Sequence, residues 1–95
     1  MIEVIAKIKV YDTQLGRKTP FNSGYRPLFS FIKSMKTSGQ ITLIEGDKFF
    51  PGDEGIVKIK FANADYLGNN FRTGVKFTFG EGVQNIGEGE VIEIL

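Results

Sequence analysis

The sequence predicts an all-β fold, a small six-stranded antiparallel β-barrel, and three observations carry that prediction. Apolar residues alternate with polar ones at period two in short runs along the whole chain. Gly, Asn, Asp and Pro cluster between those runs. No window of about 11 residues holds an apolar stripe at i, i+3, i+4 and i+7, so almost no helix is expected.

The elements follow in order. Ile2–Tyr11 places Ile2, Val4, Ala6, Ile8 and Val10 on one face, with Glu3, Lys7 and Lys9 on the other. Pro27–Ile32 sets Phe29 and Phe31 together, opposite Leu28 and Ile32. Gln40–Ile44 is a short apolar run after Gly39. Ile56–Phe61 alternates Val57, Ile59 and Phe61 against Lys58 and Lys60. Val75–Phe79 alternates Val75, Phe77 and Phe79 against Lys76 and Thr78. Glu90–Leu95 sets Ile92 and Ile94 against Val91 and Glu93. The turns fall at Leu15-Gly16, Asn22-Ser23-Gly24, Glu45-Gly46-Asp47, Pro51-Gly52-Asp53, Gly68-Asn69-Asn70 and Gly80-Glu81-Gly82. Gly24 and Gly82 are expected at positive φ. Two long connections, 12–26 and 62–70, suit a barrel, whose closure also protects strand edges.

Ninety-five residues make one domain. No apolar run approaches the ~20 residues that span a bilayer. The charged N-terminus does not read as a signal peptide, so a cytoplasmic location is the default expectation, with no membrane partner. The chain has no Cys and no His. That removes Ser-His-Asp and Cys-His nucleophilic sites and Cys/His zinc sites. Asp47, Asp53 and Glu54 could mimic a hard-cation site, but their Gly and Pro neighbours read as turn chemistry, so no metal is assigned. Glu81, Glu88, Glu90 and Glu93 read as solvent-facing carboxylates on a hairpin. No phosphate-cradling glycine loop is present, and no cofactor or small-molecule substrate is expected.

Net charge is +1, but it is unevenly spread along the chain. Residues 1–36 carry seven Lys/Arg against two Asp/Glu, and residues 37–95 carry five against nine. Two solvated patches, or a modest basic face for a phosphate backbone, would both produce this pattern. Gly16–Phe31 interleaves cations with aromatics: Arg17, Lys18, Phe21, Tyr25, Arg26 and Phe29. Such a loop can contact nucleic acid. Equally, Phe21 and Tyr25 can cap the barrel while Arg26 satisfies loop carbonyls or a carboxylate.

Gly16-Arg17, Thr19-Pro20-Phe21, Gly24-Tyr25-Arg26-Pro27 and Phe29 resemble the G-R-H-T-P-F-x-x-G-Y-R-P-Q-F run of the C-terminal barrel, the third domain, of elongation factor Tu. Pro51-Gly52-Asp53, Glu81-Gly82 and Gly87-Glu88-Gly89 match later motifs in the same order, so the resemblance covers the whole chain. It implies a Greek-key-like barrel. Met1 opens the first strand directly, so a stand-alone barrel without the family's GTP-binding domain is expected.

By resemblance, the function is a non-catalytic binding module of translation. Its expected partner is tRNA, gripped weakly at the T-stem through Arg26, Lys33, Lys36, Ser38 and Glu81. The departures weaken that reading. The family's glutamine is Leu28, and two of its arginines are Gly80 and Gln84. The alternative is a protein-interaction barrel that has lost RNA binding, with Leu28 and Ile32 facing a translation factor or a second copy. Ile5, Ile44 and Ile56 add to the apolar surplus outside the barrel. With no phosphate loop, the chain is expected to leave a fluorescent GTP analogue unbound at micromolar concentration; saturable binding would contradict this.

Overall fold

The computed structural model describes residues 2–12, 19–32, 35–68, 71–82 and 84–95. The six strands are β1 (Ile2–Val10), β2 (Leu28–Ile32), β3 (Met35–Leu43), β4 (Glu54–Phe61), β5 (Lys76–Glu81) and β6 (Gln84–Ile94). They close into a barrel in the order β1-β4-β3-β2-β5-β6. Every pairing is antiparallel, including the one between β1 and β6 that completes the ring. Among the described residues the helical structure is one 3₁₀ turn, Ala64–Leu67. It is capped by Asn63, whose side chain accepts from the Asp65 amide at 3.0 Å. No described helix is long and apolar enough to cross a membrane.

The period-two pattern translates directly into the interior. Val4, Ala6, Ile8 and Val10 of β1 are buried, as are Val57, Ile59 and Phe61 of β4 and Phe77 and Phe79 of β5. Phe29 sits at the centre, edge-on to Phe61 with centroids 5.1 Å apart and tilted on Phe79 at 5.6 Å. Phe31 joins Phe61 and Phe71 to this cluster, and Leu67 is buried beside it. Such ring pairs add about 0.5–1.5 kcal/mol each beyond their area.

Two strands run longer than their sequence suggests. β3 begins at Met35 rather than Gln40, and β6 at Gln84 rather than Glu90. Apart from Thr37 their extra residues have weak strand preference, and pairing imposes the conformation, along β2 for Met35, Thr37 and Ser38 and between β1 and β5 for Glu88 and Gly89. In β6 the glycines have a second purpose. An alanine Cβ at Gly87 would sit 2.6 Å from the Lys9 carbonyl oxygen and against the Phe79 ring. One at Gly89 would sit 2.8 Å from the Lys7 carbonyl oxygen and 2.5 Å from Phe77 Cζ.

The last strand also corrects the expected facing. Glu93 stands opposite Ile5, while Val91 stands opposite Ala6, so Ile92 is an inserted bulge residue. Val91 faces inward opposite Ala6, in step with Gly87 and Gly89, while Ile92 and Ile94 are exposed. Gly24 and Gly82 hold φ of 99° and 66°, as their turns require.

Steric and conformational costs separate in two variants. Gly87→Ala is expected to lower stability by about 2 kcal/mol or more through overpacking. Gly82→Ala has open space around its Cβ, so only the positive φ opposes it, at about 1 kcal/mol. Chemical denaturation measures both, and equal losses would show that β6 relaxes around the added methyl.

Candidate nucleic-acid interface

The aromatic and basic loop is stitched into the barrel. Phe21 and Phe49 exchange two backbone hydrogen bonds, 3.0 and 2.8 Å. The Ile41 amide donates to the Tyr25 carbonyl at 2.9 Å, and the Gly24 amide to the Ile41 carbonyl at 2.8 Å. Phe21 is buried and stacks on Tyr25 at 4.5 Å and on Phe49 at 5.5 Å. The loop therefore closes one end of the barrel, and Phe21 is a structural plug. The Tyr25 hydroxyl donates to the Glu81 carboxylate, tying the loop to the β5–β6 turn.

The plugged loop delivers Arg26 to the outside of β3. Its guanidinium donates to Gln40 Oε1 at 3.2 Å. Ser38 and Gln40 project outward from β3, alternating with buried Thr37 and Ile41. The β3–β4 register sets Lys60 opposite Gln40. Arg26, Ser38, Gln40 and Lys60 thus line one shallow concavity of about 180 Å³, with Gly39 and Ala62 as its other walls. Two cations, a hydroxyl and an amide converge there, a donor-rich set suited to a phosphate and its sugar hydroxyls.

The expected residues fall into separate roles. Arg26 and Ser38 share the concavity. Lys36, also outward on β3, donates from Nζ to the Gly82 carbonyl at 2.8 Å. Glu81 accepts from Tyr25 and holds the loop. Leu28 lies between Ser38 and Gly80 in the sheet and is half-buried. Ile32 is also half-buried, close enough to Gly68 that a Cβ there would lie 3.1 Å from its Cγ1. Lys33 lies outside the described residues, as do Arg17 and Lys18. Lys60 and Gln40 were not expected in the site. The β4 alternation marks Lys60 as outward-facing, but only the strand order makes β4 the neighbour of β3.

Among the described residues, the lysines of β1 do not form a basic patch. β1 lies between β4 and β6, so Lys9 stands opposite both Glu54 and Glu88, and Lys7 opposite Glu90. Lys76 on β5 also faces Glu90. Lys7 Nζ reaches Glu54 at 3.1 Å, and Lys58 reaches Glu3 at 3.7 Å. These exposed pairs add little stability, but Glu54, Glu88 and Glu90 beside β1 offset its lysines. Asp53 accepts from the Phe50 amide at 3.1 Å, which is turn chemistry.

At the start of the loop, Tyr11 donates from its hydroxyl to Glu88 at 3.1 Å. Burial first, then that hydrogen bond and the Glu88 charge, push the phenol above its ordinary value of 10.0. No protein-family model matches the chain.

A raised folded-state value favours the neutral phenol in the native protein. The resulting stability is complete below the unfolded value and disappears as pH rises through the folded one. Tyr11→Phe should be less stable than the parent near pH 8, by about 0.5–1.5 kcal/mol for the lost hydrogen bond. The two stabilities should converge above about pH 10. Denaturant titrations across that range check this, and parallel curves would contradict it.

Proposed function

We propose that this chain is a non-catalytic binding module that grips the phosphate–sugar backbone of a structured RNA, with a tRNA stem as the model ligand. The observation carrying this reading is the convergence of Arg26, Ser38, Gln40 and Lys60 on one groove. Arg26 offers a planar fork of donors, already oriented by Gln40. Ser38 and Gln40 provide partners for ribose hydroxyls, which distinguish RNA from DNA. Lys36 flanks the groove on the same strand, two residues from Ser38. The likeness of Gly16–Phe31 to the barrel of elongation factor Tu supports the same ligand class.

Binding through so few cations is weak and electrostatic. About two or three phosphates neutralised give a slope of log affinity against log salt of about −2 to −3. Anisotropy with a labelled RNA stem measures it. Arg26→Ala and Lys60→Ala should each weaken binding and flatten the slope by about one unit. Phe50→Ser, on the exposed β3–β4 connection, should change neither. Salt-independent binding, or parental affinity in both groove variants, would defeat the reading.

A further inference from the structure

A second concavity, of about 340 Å³, opens where the β3–β4 connection folds over the barrel end. Its apolar lining is Leu43, Ile44, Phe49, Ile56 and Val57. Ile44 is 53% exposed and Ile56 43%, so large aliphatic side chains stand in water around it. Contiguous apolar surface of this kind marks interaction sites.

The rim carries charge of one dominant sign. Glu45, Asp53 and Glu54 line the concavity, against one lysine, Lys48. Lys48 donates to Asn22 Oδ1 at 3.3 Å, which draws its ammonium toward the neighbouring loop. Lys7 engages Glu54 from β1, leaving Glu45 and Asp53 to set the local potential, with Asp47 in the same turn. An apolar floor inside an acidic rim selects against an anionic lipid surface and against polyanions. It also disfavours pairing of this face with itself, which would bring two predominantly acidic rims together.

We infer that this concavity is a docking site for a basic, amphipathic segment of a partner protein. An aliphatic or aromatic side chain enters between Ile44 and Ile56, and flanking Lys or Arg residues meet Glu45 and Asp53. The site is separate from the Arg26–Lys60 groove and does not depend on RNA binding.

Amide chemical-shift titrations of the ¹⁵N-labelled chain test this with three short peptides: alternating Lys/Leu, Glu/Leu and Lys/Ser. The Lys/Leu peptide should shift the amides of Ile44, Glu45, Gly55 and Ile56, and weaken as salt rises from about 50 to about 300 mM. The Glu/Leu and Lys/Ser peptides should leave them in place. Ile56→Ser and Glu45→Lys change exposed side chains, and each should weaken Lys/Leu binding about fivefold or more with the remaining spectrum preserved. Equal binding of the Glu/Leu or Lys/Ser peptide, shifts confined to other surfaces, or parental affinity in both variants would overturn the inference. So would concentration-dependent shifts of the same amides in the chain alone, which would assign the face to a second copy.

Discussion

Filling a six-stranded barrel with phenylalanine rings requires backbone without side chains beside them, and the rest of the structure follows from that constraint. Phe29, Phe61, Phe77 and Phe79 occupy the interior. Gly39 leaves room for Phe29 and Phe61, where a Cβ would stand 2.8 Å from Phe29 Cε1 and 3.0 Å from Phe61 Cδ1. Gly87 and Gly89 do the same for Phe79 and Phe77 while lying close to the β1 carbonyls. Large and small inward residues thus alternate around the ring, as a narrow barrel demands. Closure through β1 and β6 depends on it, because the same glycines stand opposite Val10 and Ile8 in that ladder.

Closure then decides where charge is displayed. With β1 between β4 and β6, its lysines meet glutamates on both sides, and the basic first strand becomes part of a mixed-sign surface. The cations gathered at the candidate site come from elements remote in sequence, Arg26 from the plugging loop and Lys60 from the end of β4. The plug makes this possible: Phe21 and Phe49 are joined by backbone bonds and ring stacking, so the chain leaving them places Arg26 over β3 at a fixed position. A donor-rich groove assembled this way is positioned by the core even though its side chains lie at the surface.

The two concavities divide the outer face of β3 and β4 by chemistry. Toward the end of β4, Gln40 and Lys60 face each other beside Arg26. Toward the β3–β4 connection, Ile44 and Ile56 replace polar residues and the neighbouring charges turn acidic. One short ladder therefore offers a donor-rich surface and an apolar, negatively charged one. Ligands of opposite charge suit the two.

The sequence by itself determined the fold class, the inward residues of β1, β4 and β5, and the positive φ of Gly24 and Gly82. It could do so because period-two burial and turn geometry are local properties, written in neighbouring residues. It also held both meanings of the Gly16–Phe31 loop, but not the choice between them for Phe21. That choice needed Phe49, which lies 28 positions away and meets Phe21 only in the folded chain. The full lengths of β3 and β6 were hidden because glycines and polar residues adopt strand structure there only through pairing with neighbouring strands. The Ile92 bulge was hidden because a shift of one residue depends on the partner strand. Lys60 and Gln40 were missing from the expected site for the same reason. Alternation says that a side chain points outward, but strand order and register say which side chains it meets, and those are set by closure of the whole barrel.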